Sequence, residues 1–172
     1  VQHTSKLSAG SQQDALKRAT MEGMSTVADP MVVARAATFA VVLLVLYVGH
    51  QLGDHVAQTD RQAEGKAAPG RRGWAAMAGH LAGYHVTMAV LLAGTTAVLR
   101  LPLSGWGIAA GLAFSVATHA LLDRRWPVRA LLRATGSRNF AELTTPVCGM
   151  YAADQALHLL ALLISALLIV AV

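Results

Sequence analysis

The 172-residue chain has one cysteine, Cys148. That excludes an internal disulfide and any zinc site built from thiolates. Charge is also scarce: Asp, Glu, Lys and Arg make up 13% of the residues, about half the usual share of a soluble domain. There are only three each of Trp, Tyr and Phe. With so few rings for stacking bases and no recognition motif, no nucleic-acid partner is expected. Residues 1–30 lack the apolar core of a signal peptide. They read as a flexible polar tail with a short amphipathic piece from Asp14 to Met21.

What the chain does hold is apolar sequence, at 55%. It falls into four runs, at about 31–56, 74–99, 106–122 and 150–172. A membrane span needs about 20 apolar residues, and 17 is the lower limit. The fold class expected is all-α: a polytopic membrane protein whose domain, 31–172, is an up-down bundle of four transmembrane helices. Pro30 suits a first helical turn, with Asp29 before it as a cap. Pro102 and Gly105 mark a tight turn between the second and third runs.

The connections 57–73 and 124–149 carry nine of the fourteen Lys and Arg residues. The positive-inside rule puts their side in the cytoplasm of a bacterial inner membrane, with both termini outside. Glycines recur four apart, as Gly49 and Gly53, Gly79 and Gly83, and Gly107 and Gly111. Such pairs let membrane helices approach closely.

Polar residues inside these runs are costly and need partners. Three of the six Asp lie in or at the end of a run, each with a His four residues away. The pairs are His50 with Asp54, His119 with Asp123, and Asp154 with His158. Spacing i, i+4 puts both side chains on one helix face. The order of the third pair is reversed, as is the direction of its helix. An up-down bundle therefore sets Asp nearer the cytoplasm in all three, with His one turn deeper. His80 in the second run falls at a similar depth. The expectation is a ring of imidazoles, His50, His80, His119 and His158, beneath a ring of carboxylates, Asp54, Asp123 and Asp154.

Imidazole with carboxylate suits Zn, Fe or Mn, as one or two ions. Helix bundles build such sites from inward-facing side chains. Any of the three Asp not used as ligand could serve as the catalytic base. Two other readings stand beside this one: a polar core or proton path in which His and Asp satisfy one another, and haem ligation. Single residues have plainer readings. His55 and His85 sit off the stripe and suit packing. Tyr84 and Ser115 lie on it, one turn deeper, where core packing competes with lining a substrate pocket. Gln58 and Gln155 flank the carboxylates and could orient ligands. Cys148 reads as an inert small residue near the site mouth. Arg125, Arg129 and Arg133 share a helical face that could hold lipid phosphates, or could serve only as a topology signal.

These residues resemble a bacterial family of small integral membrane proteins, domain of unknown function 3307. The resemblance rests on His50-x-x-x-Asp54-x-x-x-Gln58-Thr59-Asp60 and Ala63-Glu64-Gly65-Lys66. It extends to His80 with Tyr84, His119-x-x-x-Asp123 and Asp154-Gln155-x-x-His158. His55 and Gly65 depart from the pattern, where an aromatic and Asn are expected. The resemblance implies a fold and a shared site but names no reaction. Lys66 thereby joins Gln58, Tyr84, Arg125, Arg129 and Gln155 as candidates for substrate binding or ligand support. The function expected is a metal-dependent hydrolase acting on a lipid-like substrate among membrane lipids, with homo-oligomerisation left open. The alternatives are a metal or proton carrier and a structural subunit with a polar core.

Overall fold

The computed structural model describes residues 10, 12–14, 16–17 and 29–171. Most of the 1–30 tail, including most of the Asp14 to Met21 piece, lies outside them. The chain divides into two compact units, 1–36 and 37–172. In the first, the Asp29 carboxylate accepts the Met31 N–H at 2.8 Å, closing the start of a helix at Pro30.

From that point seven helices follow: α1 (Pro30–His55), α2 (Asp60–Gly65), α3 (Gly70–Leu99), α4 (Gly105–Leu122), α5 (Trp126–Ala134), α6 (Arg138–Glu142) and α7 (Gly149–Ala171). Four of them, α1, α3, α4 and α7, are long and apolar enough to cross a membrane. All five prolines fall at helix starts or in connections, so no long helix loses an interior hydrogen bond. Helix α3 starts at Gly70, ahead of its apolar run, because Pro69 serves as its N-cap and the following turn already winds as helix. It ends at Arg100, whose φ of 50° turns the chain left-handed. Ser104 then caps α4 by accepting the Gly107 N–H at 2.8 Å.

Both polar connections are partly helical. In the first, α2 is set by a capping box: the Thr59 side chain accepts the Gln62 N–H, and the Gln62 side chain accepts the Thr59 N–H. In the second, α5 buries Val128 and leaves Arg129 exposed.

Within the second unit, Val42, Leu46, Met88, Leu92, Leu162, Ala166 and Ile169 form a buried apolar cluster with Tyr84. Two of the three glycine pairs explain how closely the helices meet. A Cβ on Gly53 would stand 2.7 Å from Tyr84 Cδ2, and one on Gly111 would stand 2.7 Å from the Ser165 carbonyl oxygen. The middle pair behaves differently. Gly79 faces the Gln62 side chain of α2, and Gly83 has nothing within 4 Å. It therefore makes no helix–helix seam.

Candidate metal centre

The C-terminal parts of α1 and α4 and the N-terminal parts of α3 and α7 each bring a histidine to one place. His119 is the hub, with ring centroids 5.1 Å from His80, 4.6 Å from His158 and 6.2 Å from His50. All four imidazoles are buried. So are Asp54, Asp123 and Lys66, while Asp154 is partly exposed.

Among the described residues, two groups of donor atoms could hold a metal ion. Asp54, His80, His119 and Asp123 form one; Asp123, Asp154 and His158 form the other. The first is tight. His80 Nε2 lies 3.3 Å from Asp54 Oδ1, 3.2 Å from Asp123 Oδ2 and 2.9 Å from His119 Nε2. His119 Nε2 is 3.1 Å from Asp123 Oδ2. Donors placed tetrahedrally around an ion at metal–ligand distances near 2.0–2.1 Å stand about 3.3 Å apart. These four distances are near that spacing, and all four donor atoms lie within 4.8 Å of one another. The second group is looser, with His158 Nε2 at 4.0 Å from Asp123 Oδ1.

Buried polar atoms are almost always paired, yet several here are not. Asp154 Oδ1, His158 Nε2 and His80 Nδ1 have no hydrogen-bond partner. Asp123 Oδ2 is within ion-pair distance of three nitrogens but meets none at a hydrogen-bonding angle. The His158 ring is oriented for ligation: Nδ1–H donates to the Asp154 carbonyl at 2.9 Å, which leaves the Nε2 lone pair facing the centre.

Lys66 is the surprise of the site. The sequence shows it as one cation of a polar connection. The structure buries it to 7% exposure and sets Nζ 2.9 Å from Asp54 Oδ1, 3.0 Å from Asp123 Oδ2 and 3.3 Å from His80 Nε2. Its backbone is held from the other side, where Arg124 donates to the Lys66 carbonyl at 3.0 Å and stacks over Trp74 at 4.8 Å. Asp123 sits just beyond the α4 span. Burial opposes its ionisation, but the close imidazoles of His119 and His80 and the Lys66 charge outweigh it. Its carboxyl is held well below the usual carboxylate range.

His50 lies in the imidazole cluster but outside both donor groups. Its ring nitrogens are engaged elsewhere: Tyr84 Oη–H donates to Nδ1 at 3.1 Å, and Nε2–H donates to Gln155 Oε1 at 3.0 Å. Gln155 Nε2 in turn donates to Asp54 Oδ2 at 3.4 Å. Tyr84 is buried under the cluster, its ring 4.0 Å from His119, and is not part of the lining of the cleft beside the centre. Gln58 donates to the Asp54 carbonyl. His55 bonds the Tyr151 hydroxyl at 2.7 Å, and His85 bonds Ser115 Oγ at 3.2 Å, both away from the donor groups.

A cleft of about 320 Å³ opens beside the centre. Asp54, Lys66, Asp123 and Asp154 line it together with the exposed Arg125 and Arg129, and Cys148 is exposed at the same cleft. Sequence reasoning missed Arg124, which appears there only as loop charge. It also missed how far Lys66 reaches inward; the Thr59-x-x-Gln62 capping box is the signal that turns the loop back over α3.

No curated protein and no solved structure matches the chain. One family model does match, over residues 42–172, which takes in every helix that contributes to the centre. The chain belongs to the family described as protein of unknown function DUF3307.

Proposed function

We propose that this chain is a membrane enzyme that uses one divalent ion, Zn, Fe or Mn, to hydrolyse a lipid-like substrate. The reading places it at the cytoplasmic face of a bacterial inner membrane, where the cationic connections favour that side. One observation carries it: the donor atoms of Asp54, His80, His119 and Asp123 all lie within 4.8 Å of one another, four of the distances between 2.9 and 3.3 Å, beside buried atoms that lack partners.

Charge supports a single ion. With neutral imidazoles, the carboxylates of Asp54, Asp123 and Asp154 exceed the Lys66 ammonium by two negative charges. Buried charge is tolerated when balanced, and one divalent cation balances it. A bound ion would lower the pKa of a water toward about 7 and polarise a phosphoryl or carbonyl oxygen. Of the three carboxylates that line the cleft, Asp154 is the most exposed, its side chain at 18%, and takes the general-base role. Arg125 and Arg129 receive an anionic head group. His50, Gln155 and Gln58 hold Asp54 in orientation.

A carrier needs a polar path onward. Beneath the centre the interior is instead the apolar cluster around Val42, Leu46, Met88 and Leu162. A purely structural polar core needs its members satisfied, which the unpaired Asp154 and His158 atoms are not.

The test is elemental analysis of detergent-purified protein beside His119→Ala and Asp123→Ala. One equivalent of Zn, Fe or Mn, lost in variants that keep their helical signal, is the expected result. Metal-loaded protein is then offered long-chain 4-nitrophenyl phosphates and carboxylates in mixed micelles. No metal after reconstitution would sink the centre, and no turnover of either ester class would sink the hydrolase.

A further inference from the structure

A second cavity runs along the seam between α1 and α7, with a volume of about 620 Å³. Its walls are apolar apart from one hydroxyl: Phe39, Leu43 and Tyr47 on α1 face Leu159, Leu160 and Leu163 on α7. The same two helices line the cleft at the metal centre, through Asp54 and His55 on one side and Tyr151, Asp154 and Gln155 on the other. On α1 the stripe Leu44, Tyr47, Gln51, His55 advances by three or four residues per step. On α7 the stripe Tyr151, Gln155, Leu159, Leu163 advances by four. Each stripe is one continuous helix face. Apolar groove and polar cleft are therefore two stretches of one seam. At the cleft end, polar bridges cross the seam from His55 to Tyr151 and from His50 to Gln155.

We infer that this groove holds the alkyl chain of an anionic amphiphile whose head group sits in the cleft. The inference rests on the lipid-like substrate proposed above and narrows it to an amphiphile with a negatively charged head. Three features of the seam specify this occupant. First, the groove is lined by apolar side chains over about 12 Å of helix rise from Phe39 to Tyr47, a surface that suits an alkyl chain. Second, Tyr47 lies seven residues before Asp54, about 10 Å along the axis, which is the reach of a head group and its linker. Third, the exposed Arg125 and Arg129 select negative charge at the cleft. The His55–Tyr151 bridge is exposed on both partners and spans the seam where the head group would pass.

The experiment uses the full chain in detergent micelles and a dodecyl phosphate bearing a diazirine at its chain end. Expected are labelled peptides from 39–47 and 159–163, with labelling suppressed by unlabelled dodecyl phosphate and not by dodecyltrimethylammonium. Arg125→Gln with Arg129→Gln should raise the competing concentration at least tenfold. Leu163→Trp should abolish groove labelling while leaving metal content unchanged. Labelling spread equally to Val86 and Val90 on α3, or competition indifferent to head-group charge, would overturn the inference. So would loss of labelling together with cross-linking of two copies through α1 and α7, which would assign the face to a second copy. Metal content is read in the same samples. Groove labelling in protein that binds no metal would uphold the groove against the metal reading, and metal-loaded protein with uniform labelling would do the reverse.

Discussion

Replacing Lys66 by methionine keeps the length of the side chain and removes its charge. In the metal-free protein the ammonium lies 2.9 Å and 3.0 Å from two buried carboxylates. Breaking a buried pair by deleting one partner costs about 3–5 kcal/mol, because the other charge is left uncompensated. In the metal-loaded protein the ion takes over both carboxylates, and most of that cost disappears. The two costs close a thermodynamic cycle, and their difference is a gain in metal affinity. At about 1.4 kcal/mol per factor of ten, a difference of about 3–5 kcal/mol is a tightening of roughly 10²- to 10³-fold or more. Lys66→Met should thus be less stable without metal and bind it more tightly. A chelator-competition titration measures the affinity, and denaturation with and without metal measures the stability. Weaker metal binding in Lys66→Met would refute the reasoning, since it would make the ammonium a support for the ion and not a competitor. Unchanged metal-free stability would show that the ion pairs contribute nothing.

Two further comparisons separate positions that look alike. His50→Ala should keep one metal equivalent with affinity weakened about 10- to 100-fold, as for groups that orient ligands; His119→Ala should lose the metal, and equal loss in both by elemental analysis would return His50 to the ligand set. Gly53→Ala should destabilise by about 1–3 kcal/mol because its Cβ meets Tyr84, whereas Gly83→Ala, facing open space, should be neutral or stabilise by up to about 1 kcal/mol; denaturation midpoints that rank the two in the opposite order would contradict the packing described.

Much of this centre could be read from the sequence because it is written in helical periodicity. His119 and Asp123 are four apart on α4, and they meet at 3.1 Å in the structure. Asp154 and His158 are four apart on α7, with 3.5 Å between them. An apolar run with a polar pair on one stripe states which face turns inward. What periodicity does not carry is the choice of partner across helices. His50 shares a stripe with Asp54 and looks like a ligand, yet Tyr84 and Gln155 engage both its nitrogens. Gly83 repeats the spacing of Gly53 but meets no neighbour. Lys66 was hardest to see, because its position depends on how a six-residue helix folds back over α3. Asp123 and Asp154 share their helices with no Lys or Arg, and Arg35 lies at the far end of the helix that carries Asp54, so a cation for these carboxylates has to come from a connection.

The order of these residues along the chain bears on how the protein is made. Asp54 meets its cation only twelve residues later, at Lys66. Asp123 and His158 emerge much further on. During synthesis the first carboxylate can be neutralised as soon as the α2 turn has formed, before α4 and α7 exist. The chain then never has to hold Asp54 against lipid unpaired while it waits for the rest of the centre. The lysine that would compete with an ion in the finished protein is, by this timing, also the partner that neutralises Asp54 during insertion.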